Sequence, residues 1–119
     1  MATALTLNTA DFDTGVNVTD AYEAAAASMY CTWDSKQTLL VNNDSGGDIT
    51  VTIDNPKSCA FSVTPEDHDE VITCTDGKVT AIDLTPERFR NAEDSNRVNL
   101  TFSGTSSVTV CLIKFAGQL

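Results

Sequence analysis

The residues best equipped for chemistry in this sequence are one histidine, His68, and four cysteines, Cys31, Cys59, Cys74 and Cys111. His68 stands inside Glu66-Asp67-His68-Asp69-Glu70, and carboxylates beside an imidazole at such short spacing can hold a divalent cation. The run lacks the EF-hand ligand pattern and its glycine, so it reads first as a solvated acidic loop whose charges also keep strands from pairing edge to edge. A Cys-His nucleophilic pair would need Cys59 or Cys74 beside His68. Acidic neighbours destabilise a thiolate, so a small apolar residue buried in a sheet is the better reading of both. There is no CxxC pair and one histidine cannot complete a Cys2His2 set, which argues against zinc. No GxSxG, HExxH or glycine-rich phosphate loop occurs, and Gly46-Gly47 falls between two strand patterns rather than at a helix start. The expectation is a non-enzymatic protein with no catalytic, cofactor-binding or metal-binding residues.

The elements that would position these residues are mostly strands. Leu5 and Leu7 alternate with polar residues, as a short strand or extended arm would. Asp20 and Glu23 sit three apart before an alanine-rich stretch, which predicts one short helix over 21–29. From Thr38 the pattern turns to β. Thr38-Leu39-Leu40-Val41-Asn42-Asn43 and Ile49-Thr50-Val51-Thr52-Ile53 flank a loop rich in Gly, Asp and Ser, a strong hairpin signal. Further strands are predicted at 60–63, 70–75 and 78–84, with Asp76-Gly77 as a two-residue turn joining the last two in a hairpin. Thr85-Pro86 opens a single helical turn. Strands at 97–103 and 107–115 close the chain, the last apolar on both faces: Val108, Val110 and Leu112 on one, Cys111, Ile113 and Phe115 on the other. A strand of that kind lies centrally in a sandwich or contacts a partner. Short strands separated by turn signals predict an all-β fold, an antiparallel β-sandwich or jelly-roll-like domain over 31–119, preceded by an extended N-terminal arm and the short helix over 1–30.

Length and charge narrow the function. The 119 residues fit one domain, and an apolar content of 41% suffices for one core. Seventeen Asp and Glu against seven Lys and Arg give a formal charge of −10, with the basic residues scattered along the sequence. Such a chain is repelled by phosphate backbones and anionic lipid, so nucleic acid and membrane are not expected partners. Met1 to Asn8 has no basic residues followed by an apolar run, so synthesis in a cytosol with reduced thiols is expected. The Asn-x-Ser/Thr triplets at Asn17, Asn43 and Asn99 are then chance matches. If the protein ends in an oxidising exterior, Cys31 and Cys111 are the candidates for an intersubunit disulfide. Leu5, Leu7, Phe12, Tyr22, Tyr30 and Trp33 are the candidate interface residues, grouped before the core strands.

From Thr38 onward the chain resembles small capsid decoration (cement) proteins of tailed phages. The resemblance is carried by the Thr38–Asn43 strand and Gly-rich turn, by Thr50-Val51-Thr52-Ile53, by the Pro86-Glu87-Arg88-Phe89-Arg90-Asn91 turn, and by the closing pair Val98-Asn99-Leu100-Thr101-Phe102 and Val108-Thr109-Val110-Cys111-Leu112. It covers about two-thirds of the chain and departs from the family pattern at Asp76-Gly77-Lys78 and in the four cysteines. It implies a small β-sandwich on the outside of the virion, bound to the major capsid protein and stabilising the shell, in a homo-oligomer, preferentially a trimer, made in the host cytoplasm. The N-terminal arm, about residues 1–20, would then lie on a neighbour's sheet edge or fold back on its own sandwich. Alternatives are another virion component (neck, tail or host-adsorption protein) and a cation-binding or adhesive Ig-like module.

Overall fold

The computed structural model describes residues 2–10, 15–55, 69–92 and 94–115. The strand expected at 60–63, together with Phe12, Cys59 and His68, lies outside them. In chain order the described elements are β1 (Thr3–Ala4), β2 (Leu7–Ala10), the helix α1 (Val18–Ala21), β3 (Glu23–Ala24), β4 (Ser28–Thr32), β5 (Gln37–Asn43), β6 (Ile49–Ile53), β7 (Glu70–Cys74), β8 (Lys78–Asp83), a 3-10 turn (Glu87–Phe89), β9 (Arg97–Phe102) and β10 (Val108–Phe115). The strands form two sheets. Sheet I has the order β1-β4-β9-β6-β7, and sheet II the order β2-β10-β5-β8 with β3 also on β10. The fold is the expected all-β sandwich. Its sheets are mixed, because β1 runs parallel to β4 and β2 parallel to β10.

Alternation builds the core. Met29 and Cys31 of β4, Val98, Leu100 and Phe102 of β9, and Ile49, Val51 and Ile53 of β6 face inward from sheet I; Leu39, Val41, Ile82, Val108, Val110 and Leu112 meet them from sheet II. Each such side chain contributes roughly 1.5–3 kcal/mol on burial. β10 is buried on both faces, as its sequence requires: Cys111 and Ile113 are buried on the outer side of sheet II.

Three expectations are corrected. The first is the pair of hairpins. β5 lies in sheet II and β6 in sheet I; β7 lies in sheet I and β8 in sheet II. The residues between them therefore cross the sandwich. Five loop residues, or even three, can span the roughly 10 Å between sheets. A type I′ turn also needs positive φ at both central residues, and at Asp76-Gly77 only Gly77 has it, at 76°.

The second is the helix over 21–29. Only Val18–Ala21 is helical. The alanines beyond it join the sheets instead: the Ala25 amide donates to the Val108 carbonyl at 3.0 Å, and the Phe102 amide to the Ala27 carbonyl at 2.9 Å. Helix propensity, at most about 0.7 kcal/mol per ordinary residue, yields here to burial of Met29 and Cys31. Glu23 forms no capping box; its carboxylate accepts the Thr6 amide at 2.8 Å.

The third is the boundary between 1–30 and 31–119, which falls inside β4. The described part of the N-terminal segment folds back on its own sandwich. β1 pairs with sheet I, β2 with sheet II, and Leu5 between them is buried in the core.

Candidate functional site

The N-terminal crossing creates the most distinctive cavity among the described residues. As the chain passes from β1 to β2 it bridges the open side of the sandwich, leaving a space of about 240 Å³ beneath it. Leu5, Leu7, Cys31 and Leu112 supply apolar walls; Thr32, Trp33, Asp34 and Gln37, from the end of β4 and the start of β5, supply the rest. Trp33 is held by its indole N–H, which donates to the Thr85 carbonyl at 3.0 Å, and the Arg90 guanidinium lies 5.6 Å from its ring centre. Asp34 accepts from Lys114 at 2.8 Å. That ammonium, hydrogen-bonded to the carboxylate, holds Asp34 below the usual carboxylate range.

Gln37 is the unusual member. It is only 1% exposed. Its Nε2 donates to the Thr32 carbonyl at 2.8 Å, while its Oε1 is buried and has no protein partner. A buried acceptor left unmet costs about 1–3 kcal/mol.

A second feature is the outer face of sheet I. Opposite the apolar inward residues, the strands present Ser28, Tyr30 and Thr32 from β4, Arg97, Asn99 and Thr101 from β9, Thr50 and Thr52 from β6, and Val71 and Thr73 from β7. Register places Ser28, Thr101, Thr52 and Val71 in one row across the sheet, and Thr50 beside Thr73 in the next. Tyr30 lies under the Arg97 guanidinium, 4.0 Å from ring centre to Cζ. No strand residue on this face is a carboxylate, although the whole chain carries a charge of −10.

The structure disperses the candidate interface residues. Leu5 is in the core; Leu7, half exposed, stands at the mouth of the cavity that Trp33 also lines. Tyr30 belongs to the outer face of sheet I. Tyr22 is partly buried, and burial, with Cys111 nearby, raises its pKa. The candidate disulfide residues are buried free thiols. Burial pushes Cys31 up to about 12, and burial with Glu23 nearby raises Cys111. A sulfur at that depth meets another subunit only after local opening. Burial likewise raises Cys74, partly offset by its hydrogen bond with Thr80.

Of the acidic run, Asp69 and Glu70 are described. Asp69 accepts the Asn55 amide at 2.8 Å and Glu70 pairs with Arg88 at 3.2 Å. Among the described residues no group of three His, Cys, Asp or Glu is arranged to hold a metal ion. The basic residues, scattered in sequence, do gather in space. Lys36, Arg88, Arg90, Arg97 and Lys114 all lie at the end where β4 turns into β5, and Lys78 at the opposite end. Arg88, Arg97 and Lys114 are each paired with a carboxylate, so this end is no bare cationic patch. No helix among the described residues is long and apolar enough to cross a membrane.

Sequence reasoning missed Gln37 and Asp34 because neither belongs to a motif; the only signal was a polar residue in phase with Leu39 and Val41. Fold and site together define a two-sheet all-β protein with a small cavity beneath its N-terminal crossing and a hydroxyl-rich sheet face without strand carboxylates. Compared with protein-family models, curated proteins and solved structures, the chain matches none.

Proposed function

We propose that this protein is a non-enzymatic structural component of a phage particle, attaching to the outside of the capsid shell and stabilising it as a decoration protein. The observation that carries this reading is the outer face of sheet I. Its rows of Ser, Thr and Asn lack carboxylates in a strongly acidic chain, so that face can approach another protein with little like-charge repulsion. Most of its side chains are short, and β-branched Thr is stiff, so docking them loses little rotamer freedom. The carboxylates elsewhere keep the outward surface hydrated and soluble. The resemblance of the strands from Thr38 onward to decoration proteins supports the same reading, and with it attachment to the major capsid protein as a homo-oligomer.

The test is to mix purified protein with undecorated capsids and locate it by electron microscopy. Wild type is expected to decorate the shell with sheet I inward. Thr52→Glu, at the centre of the hydroxyl rows, is expected to reduce occupancy at least tenfold while the circular dichroism spectrum is unchanged. Ala81→Glu, on the outer face of sheet II, should leave occupancy intact. Bare shells with wild type, or full occupancy with Thr52→Glu, would overturn the proposal.

A further inference from the structure

We propose that a second cavity, between the edge strands β7 and β8, is a binding site for a lysine side chain of a partner protein. Its stem lies on Ile72 and its ammonium is held by Asp83. This inference is independent of the capsid reading, since the cavity opens between the two sheets and not on the outer face of sheet I.

Three observations converge. The first is position and size. β7 ends sheet I and β8 ends sheet II, with no further described strand beyond either. The space between them measures about 210 Å³. That exceeds the ~150 Å³ cavity that accepts benzene and holds one long side chain. The second is the order of the lining. Buried Ile53, Ile82 and Phe89 close the floor, and half-buried Ile72 and Pro86 form apolar walls. Glu70 and the exposed Asp83 stand at the rim, where solvent reaches them. Ile72 lies two residues from Glu70, about 7 Å along the strand, which matches the reach of a four-carbon stem and its ammonium. Long cationic side chains lie on apolar surface in this way and keep the charged tip in water. The third is charge. Glu70 is already paired with Arg88 at 3.2 Å, whereas among the described residues no ion pair takes Asp83. The rim thus carries one carboxylate in excess, which draws in a cation and repels an anion. Asp83 Oδ1 accepts the Thr85 amide at 2.9 Å, leaving Oδ2 for a ligand. One oxygen suits the point charge of an ammonium, whereas the guanidinium fork of arginine is matched to two.

The experiment titrates Nα-acetyl-lysine N-methylamide into ¹⁵N-labelled protein and follows ¹H–¹⁵N correlation spectra. The norleucine counterpart, which keeps the stem and lacks the ammonium, and the arginine counterpart are titrated alongside. The lysine probe is expected to saturate in the millimolar range, shifting the Ile72, Asp83 and Arg88 amides. An exposed ion pair changes an equilibrium constant only a few-fold, so this probe should bind at least about threefold more tightly than the norleucine one. Asp83→Asn keeps an acceptor for the Thr85 amide but removes the charge, and should bring the two probes within about 1.5-fold of each other. Failure to saturate, equal affinity for lysine and norleucine, or tighter binding of arginine would each overturn the assignment. So would a lysine preference that survives Asp83→Asn. Shifts largest at Asp44, Asp48 and Asp76 would overturn it too, marking general attraction to an acidic chain. If Asp83→Asn does not fold, the comparison of probes on wild type decides alone.

Discussion

Asn43 ends β5 with its side chain wholly buried, and its amide ties together two chain crossings. Nδ2 donates to the carbonyls of Gly47 and Cys74, both at 2.9 Å; Oδ1 accepts from the Ser45 amide at 3.0 Å and the Ser45 hydroxyl at 2.7 Å. The neighbouring bonds follow the same plan. Gly77 N–H donates to the Asn43 carbonyl at 2.7 Å, and Gly46 N–H to the Asp76 carboxylate at 2.9 Å. One side chain thus fixes where β5 leaves sheet II and where β7 leaves sheet I. Asn43→Ala strands the buried Cys74 carbonyl, and should lower stability by about 2–4 kcal/mol, seen as a lower urea midpoint at unchanged slope. Asn43→Asp is isosteric but places an ionised oxygen against two carbonyls. The folded state then favours the protonated form, so its carboxyl has a higher pKa folded than unfolded. Its stability deficit should be smallest at pH 4 or below, where the acid can still donate, and should grow as pH rises through the folded-state pKa. A deficit independent of pH would show that the amide's donors carry no special weight.

At the scale of elements, the N-terminal strands are structural. Deleting residues 1–10 removes Leu5 from the core, which alone costs about 2 kcal/mol, and strips β2 from β10 along Leu112 to Phe115. The truncated chain should melt at a lower temperature and, with the β10 edge bare, should self-associate in light scattering. A truncation that stayed monomeric and equally stable would show that β1 and β2 contribute nothing to the body. These strands also mark what the sequence could disclose. Strands β5 to β10 were legible to within a residue or so at each end, because alternation and turn residues are local signals. Partnership was not local. The Gly-rich loop after Asn43 and the Asp76-Gly77 turn serve a crossing between sheets as readily as a hairpin, and only tertiary hydrogen bonds distinguish the two. The alanines of 24–27 read as helix because the residues that pair them, Val108 and Phe102, lie some eighty positions away. The cavity shared that fate: Leu5, Leu7 and Trp33 were recognisable as interface candidates, whereas Gln37 gains its meaning from Thr32 and from the crossing above it.

For the whole molecule, the order of pairing sets the route by which it folds. Among the described strands, only β6 and β7 are both consecutive in sequence and neighbours in a sheet; every other ladder joins strands separated by at least one further element. β10, the last of the described strands in sequence, pairs with β2, β3 and β5 and so holds sheet II together. Little native pairing can form before distant segments meet, and loop-closure entropy must be overcome before those contacts stabilise anything. Refolding should therefore fall in the slow range of β-sandwiches, with time constants from about milliseconds to seconds. Trp33, the single tryptophan, is fixed at the end where β4, β5 and the 3-10 turn converge, so its fluorescence reports assembly of both sheets in a stopped-flow experiment. Val110 lies fully buried at the centre of β10, opposite Val41. If early docking of β10 limits the rate, Val110→Ala should slow refolding more than it speeds unfolding, whereas Val71→Ala on exposed edge strand β7 should leave the refolding rate unchanged. A submillisecond recovery of the full fluorescence signal, or a Val110→Ala effect confined to unfolding, would show that sheet II is not assembled through its last strand.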